Sequence, residues 1–244
     1  MAVDEALLSN FKEGDLPIFR LYRWESSLSL GRFSKLDVSI DLEILKNQNL
    51  PFVRRMSGGG ILVHGGDISY SLILPRESLK ETGVKQSYAY LCKFLINFYE
   101  RLALRAEFAY DLEVTISKSP ICMLANEPYD IIIDGKKIGG NAQRYTKNAL
   151  FQHGSIPLSF DENIFKNIFL EESTLKNINT LDKMGKDIGE RELTLLLVET
   201  FTQSFEVELV SDTLTLQELE SVDRFVTHKY ATKRWNIDAK QDET

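Results

Sequence analysis

Pro51-Phe52-Val53-Arg54-Arg55-Met56-Ser57-Gly58-Gly59-Gly60-Ile61-Leu62-Val63-His64 carries the strongest signal in the chain. Strand-forming residues flank it on both sides. Strand interiors rarely hold three glycines, because glycine adds no packing there and costs backbone entropy. Gly58, Gly59 and Gly60 therefore read as a turn whose bare amides approach a ligand closely. The guanidiniums of Arg54 and Arg55 stand beside it, suited to an anion or a carboxylate. Taken alone, the stretch fits equally a tight hairpin with solvated arginines.

A second glycine-thinned segment is Gly135-Lys136-Lys137-Ile138-Gly139-Gly140-Asn141-Ala142-Gln143. A β-branched run, Ile131-Ile132-Ile133, precedes it, and Asp134-Gly135 is the dipeptide that favours a two-residue hairpin turn. The lysine pair thus opens a returning strand. Side chains alternate along a strand, so Lys136 faces solvent and Lys137 the interior. A fixed cation next to a thinned backbone suits a carbonyl, a carboxylate or a phosphate.

Composition narrows the classes. The 244 residues are 43% hydrophobic and 27% charged, ordinary for a globular protein able to bury a substantial core. No apolar run is long enough to span a membrane and no signal peptide is evident, so no membrane partner is expected. Two cysteines, Cys92 and Cys122, do not suggest a disulfide framework, which points to a reducing cytoplasm. A formal net charge of −7 argues against nucleic-acid binding. Arg54, Arg55, Lys136, Lys137, Arg144 and Lys147 nevertheless gather in the two glycine segments, which predicts a basic patch for an anionic ligand or an acidic partner. Three histidines and two cysteines lie far apart in sequence without ligand spacing, so no metal site is expected.

Periodicity predicts helices at 2–13, 41–48, 86–104, 161–168, 190–204 and 215–229. Strands are predicted at 17–24, 27–33, 52–55, 60–64, 67–74, 107–117, 129–134, 137–146 and 149–157. In the long helix Leu91, Phe94, Leu95, Phe98 and Leu102 recur at three- and four-residue spacing. Strands joined by short turns, with helices at the ends of the run, mean α+β with a mixed, largely antiparallel sheet flanked by helices. One domain over 1–244 is expected.

Several motifs stand together in a recognisable order. They are Met1 to Leu8; Leu21-Tyr22-Arg23-Trp24 with Ser29-Leu30-Gly31-Arg32-Phe33; Arg54 to Gly60 with His64; Lys137 to Gln143; Gln152-His153-Gly154-Ser155-Ile156; and Lys229-Tyr230-Ala231 with Trp235-Asn236. In these the chain resembles the lipoate–protein ligase and octanoyltransferase superfamily, related in fold to biotin–protein ligases. The resemblance implies a biotin/lipoate ligase-like catalytic domain, with residues 21–33 forming its first hairpin. The family's ligases often carry an extra C-terminal domain, but too little chain follows the last strands for one, so no separate accessory domain is expected. It also implies a substrate-binding set of Arg54, Arg55, Ser57, Gly58, Gly59, Gly60, His64, Gly139, Gly140, Asn141, Ala142, His153 and Gly154.

Cys122 lies in a polar, proline-flanked loop, Ser119-Pro120-Ile121-Cys122, fifteen residues before Lys137. Cys92, within the long helix, reads as a small buried hydrophobe. The spacing of Cys122 resembles that of the nucleophilic cysteine in one branch of octanoyltransferases. There the thiol takes an octanoyl group from acyl carrier protein and passes it to a lysine of a lipoyl-accepting protein, such as glycine cleavage H protein or a 2-oxoacid dehydrogenase E2 lipoyl domain. A nearby ammonium such as that of Lys137 favours the thiolate and, with the turn amides, stabilises an oxyanion. Cys122 and Lys137 are thus the catalytic candidates, and no cofactor is required. The triple glycine instead resembles ATP-dependent lipoate–protein ligases, which would need ATP and Mg. A non-catalytic lipoyl-domain-binding protein is the third reading. His64 and His153 are the candidates for the base that deprotonates the acceptor lysine.

Overall fold

The structure of the chain, a computed structural model, describes residues 1–36, 39–79, 83–112, 127–170 and 178–240. Its larger sheet is antiparallel throughout, in the order β1 (Ile18–Arg23), β5 (Asp67–Pro75), β10 (Ala149–Pro157), β9 (Gly140–Tyr145). β5 and β10 are central and buried along most or all of their length, and their side chains alternate between two faces. Ile68, Tyr70 and Leu72 of β5 and Leu150 and Ile156 of β10 enter the main core. Helices α3 (Val84–Arg101) and α5 (Glu190–Phe205) cover that face with Leu91, Phe94, Leu95, Phe98, Leu193, Leu197 and Phe201. Phe94 meets Phe19, Tyr70 and Phe201 edge-on, which makes it the hub of this core. Truncating such a side chain to alanine costs about 3–5 kcal/mol.

The alternate residues of the same strands turn the other way. Ile73 of β5 and Phe151 of β10 pack against Leu7, Leu8 and Phe11, in and just after α1 (Ala2–Asn10). α1 in turn packs on α6 (Leu216–Phe225), which starts with a Thr215–Glu218 capping box. On this face lie Ser69, Ser71, His153 and Ser155, polar residues that a sheet covered on both sides would not bury without partners.

A smaller sheet has the order β3 (Phe52–Arg54), β2 (Ser27–Leu30), β4 (Ile61–His64). Helix α2 (Leu42–Asn47), capped by Asp41, lies in the crossover from β2 to β3, which therefore pair in parallel. β4 pairs with β2 antiparallel. A third sheet orders β6 (Ala106–Phe108), β7 (Ile131–Ile133) and β8 (Lys136–Lys137). Its β7–β8 hairpin turns at Asp134 and Gly135, with φ of 50° and 74°, the paired positive values that a type I′ turn demands. The architecture is mixed α+β, mostly antiparallel, as the strand pattern predicts.

Four expectations change, the first being that the strand predicted at 107–117 stops at Phe108 and passes into a 3-10 turn at Ala109–Leu112, with residues 113–117 lying outside the described residues. Residues 21–33 do not form a hairpin: β1 pairs with β5, while β2 is flanked on both edges by β3 and β4 and has no edge left for β1. The predicted strand at 137–146 is two strands in two sheets, because Gly139 at φ +69° swings the chain from β8 to β9. The last predicted helix ends at Phe225, passes through a π-helical turn at Val226–Tyr230, and is followed by α7 (Lys233–Asn236). No described helix is long and apolar enough to cross a membrane.

Candidate active site

A recess opens between the two larger sheets. The small sheet contributes Ser29 from β2, Leu62 and His64 from β4, and Arg55 just beyond β3. The large sheet contributes Ser69, Asn141, Ala142, His153, Gly154 and Ser155. β2 shows how the sequence achieves this: Leu28 and Leu30 point into the core of the small sheet, and Ser29 between them points the opposite way.

His64 is held from three sides. Its ring stacks on Trp24, with centroids 4.6 Å apart; its Nδ1 lies 2.9 Å from Asp67 Oδ2 and its Nε2 lies 2.7 Å from Ser29 Oγ. Asp67 Oδ2 also accepts from Ser69 and Ser155 hydroxyls at 2.9 and 2.8 Å. Burial alone would push the Asp67 carboxyl up, but its electrostatic pairing with the His64 ring and these hydrogen bonds outweigh it and hold the carboxyl below its usual range. Arg55 Nη1 donates to Ser29 Oγ at 2.9 Å.

The glycine turn links β3 to β4 across the end of β2. All four of its carbonyls are engaged: Arg32 N donates to Ser57 O, Arg55 Nη2 to Gly58 O and Gly60 O, Ser34 Oγ to Gly59 O, and Gly31 N to Gly60 O. Gly59, at φ +94°, brings its carbonyl so close that a Cβ on Gly31 would sit 1.7 Å from the oxygen. The two arginines part company here. Arg55 lines the recess while bracing the turn. Arg54, expected to face a ligand beside it, points away and donates to five backbone carbonyls, those of Gly31, Arg32, Ser34, Trp235 and Asn236. It fastens the C-terminal segment to the small sheet, and Trp235 Nε1 returns a bond to Arg54 O at 2.8 Å. A β-strand alternates, so two adjacent arginines cannot both face the recess.

Across the recess, β9 and β10 pair Ala142 with His153, Asn141 with Gly154 and Gly140 with Ser155. Tyr70 Oη donates to Asn141 Oδ1 at 2.7 Å, and Gln152 Nε2 donates to Tyr70 Oη at 2.9 Å, so the carboxamide is aimed by a buried network. Gly154 makes room for it: a Cβ there would lie 2.2 Å from Asn141 Oδ1. His153 Nε2 meets Ser57 Oγ. Burial, helped by the charge of Arg55, pushes its imidazole down to about 3, so it is neutral and feebly basic at neutral pH. Gly139 sits at the bend that feeds β9.

Lys137 is buried and Lys136 exposed, as strand alternation requires. The Lys137 ammonium is 2.7 Å from Asp130 Oδ2, within the third sheet, and lies outside the lining of the recess. Burial pushes the Asp130 carboxyl up, against the opposing pull of Lys137 and the Glu127 amide. Cys122 lies outside the described residues, so its distance from Lys137 is not part of this geometry. Cys92 is buried and its thiol is pushed up to about 12, an inert core residue. Of the predicted basic patch, Arg54, Arg55 and Lys137 are buried and engaged internally, while Lys136 and Lys147 face solvent and Arg144 is half-buried.

The sequence reading did not mark Trp24, Ser29, Leu62, Ser69, Ser155 or Asp67 as site residues, nor Asp130 beside Lys137. Trp24 and Ser29 stand inside quoted motifs but look like ordinary strand residues. Asp67 follows His64 by three, a faint signal for a carboxylate behind an imidazole.

Comparison with known proteins places the chain as a whole in a family. The profile of the family described as the lipoyl protein ligase A/B catalytic domain matches residues 1–204. Octanoyltransferase LipM of Brevibacillus brevis is 32% identical over 257 residues, covering 97% of this chain and 93% of that protein. Among solved structures, protein Ta0514 of T. acidophilum, with bound lipoic acid, superposes with a TM-score of 0.82 at 25% identity, covering 97% of this chain and 92% of that one. A bi-partite lipoate protein ligase of Thermoplasma acidophilum, studied with its E2 lipoyl domain, shares the fold at 24% identity and a TM-score of 0.82, covering 100% of this chain and 92% of its own.

Proposed function

Because the chain belongs to the lipoyl protein ligase A/B catalytic domain family, we propose that it is an octanoyltransferase of protein lipoylation. It takes an octanoyl group from acyl carrier protein onto the Cys122 thiol and passes it to a lysine of a lipoyl-accepting protein, such as glycine cleavage H protein or an E2 lipoyl domain. The observation that carries this reading is likeness to an octanoyltransferase over nearly the whole length of both chains, joined to a loop cysteine before Lys137.

The chemistry needs no cofactor. Thioester exchange is nearly isoenergetic, and aminolysis of a thioester to an amide runs downhill. Thiolate attack moves the acyl carbon from the carrier's sulfur to Cys122 Sγ, and the carrier thiolate leaves. Lys137, paired with Asp130 outside the lining of the recess, is the cation that would favour the Cys122 thiolate, and Arg55 and Asn141, which line the recess, supply a fixed charge and a fixed dipole for the acyl head. Lys136 and Lys147, which face solvent, suit an acidic partner.

Incubation with octanoyl-acyl carrier protein, without ATP, is expected to give a neutral-hydroxylamine-labile octanoyl adduct on Cys122 by intact mass. Octanoyl transfer should be abolished in Cys122→Ala. Labelling of a lipoyl domain that needs lipoate and ATP, undiminished in Cys122→Ala, would instead establish the ligase reading.

A further inference from the structure

We propose that Ser29, His64 and Asp67 form the proton acceptor for the amine that receives the acyl group, with Ser29 relaying and His64 holding the proton. The inference rests on the transferase reading above and adds the base which that reading leaves unassigned.

The hydrogen-bond chain admits one consistent polarity when the imidazole is neutral. Arg55 can only donate, so Ser29 Oγ accepts from Nη1 at 2.9 Å. Ionised Asp67 can only accept, so His64 Nδ1 carries the proton facing Oδ2 at 2.9 Å. Nε2 is then bare, and the remaining Ser29 O–H donates to it at 2.7 Å. A hydroxyl whose proton points at an imidazole backed by a carboxylate is an arrangement able to take a proton. Both Ser29 and His64 line the recess.

The other candidates are spent. Among the described residues His153 has no hydrogen bond to a carboxylate, its Nε2 is engaged with Ser57, and burial beside Arg55 disfavours its charged form against the opposing pull of Asp4. Lys137, as an ammonium paired with Asp130, has no lone pair to offer.

The step balances as follows. The acceptor lysine ammonium gives one proton to Ser29 Oγ as the Ser29 hydroxyl proton passes to His64 Nε2, and Asp67 balances the imidazolium. The freed amine attacks the thioester carbonyl; the C–N bond forms, the C–S bond breaks and the electron pair leaves on Cys122 Sγ. The second amine proton goes to that thiolate, and His64 returns its proton to water. Asp67 acts only through His64 and is a positioning residue.

The test separates the two half-reactions on the full chain. Cys122 is loaded from octanoyl-acyl carrier protein, the acyl-enzyme is isolated, and single-turnover transfer to a lipoyl domain is followed across the neutral pH range. His64→Gln and Asp67→Asn are expected to accept the acyl group yet transfer it about 10²- to 10⁴-fold more slowly. They should also lose the acid limb of the pH profile. The titratable groups facing His64 in that profile are Asp67 directly, Arg55 through Ser29, and, along the recess, Tyr22, the neutral His153 and the N-terminal amine of Met1, whose ammonium is disfavoured by burial. Hydroxylamine, already unprotonated at neutral pH, should discharge wild-type and variant acyl-enzymes alike. Ser29→Ala, a smaller change, should slow transfer in the same direction. Variants that transfer at the wild-type rate with the acid limb intact overturn the relay alone. An equal loss toward hydroxylamine and lysine marks a structural role and also overturns it. A wild-type chain that never loads Cys122 overturns the thioester reading and the relay with it.

Discussion

His64 on the small sheet and His153 on the large one face the same recess, and both are almost fully buried, at 3% and 6% exposure. Each has its Nε2 against a serine hydroxyl, Ser29 for one and Ser57 for the other. They differ in what stands behind or beside the ring. Asp67 backs His64, whereas Arg55 is the charge that weighs on His153. Burial by itself disfavours an imidazolium; a carboxylate at hydrogen-bond distance offsets that cost, and a guanidinium adds to it. Two rings similar in exposure thus stand in different electrostatic surroundings.

The largest test of this contrast is Asp67→Ala. It strips partners from His64, Ser69, Ser155 and the Gly65 amide at once. Urea unfolding at neutral pH should show a loss of about 3–5 kcal/mol. A loss within experimental error would mean that the carboxylate does not organise the small-sheet side of the recess.

His153 should reveal itself through pH. Unfolded, its imidazole takes a proton near 6.5; folded, it resists until about 3. Below about 6.5 the unfolded state therefore binds more protons. The stability associated with the neutral ring is complete above that value and is lost as pH falls toward about 3. Between pH 6.5 and pH 5 this amounts to about 2 kcal/mol. His153→Gln should flatten that part of the stability profile, and a variant whose profile runs parallel to wild type would break the comparison.

The smallest effects come from the paired hydroxyls. Ser57→Ala and Ser29→Ala each remove one hydrogen bond to a ring and should cost about 1 kcal/mol of stability. Only Ser29→Ala should slow acyl transfer; equal slowing by both would erase the distinction between the rings.

Much of the architecture was legible because it depends on local rules. The helical spacing of Leu91, Phe94, Leu95 and Phe98 marks the face that α3 buries, and each of the four is core. Asp134-Gly135 marks a hairpin turn because a type I′ turn needs two positive φ angles, and it makes one. The alternation that turns Lys137 inward is equally local. The false hairpin at residues 21–33 shows the limit: two adjacent strand-like runs do not say which edges they will share. β2 is claimed by β3 and β4, elements encoded after it. Arg54 shows the same limit at the level of one side chain, since its five carbonyl partners come from Gly31 to Ser34 and from Trp235 and Asn236, far apart in the chain.

From residue order alone come the element types, the glycine-rich bends, the family and half of the residues that meet at the recess. All of these follow from periodicity, backbone freedom and motif order. Only the tertiary structure decided which of two arginines turns inward, which of two histidines has a carboxylate behind it, and that Ser29 and Asp67 complete the group. Those outcomes depend on strand register and on the partner that burial leaves beside each polar atom. The β2–β4 pairing brings residues 35 positions apart in the chain to 2.7 Å, a proximity no local pattern encodes.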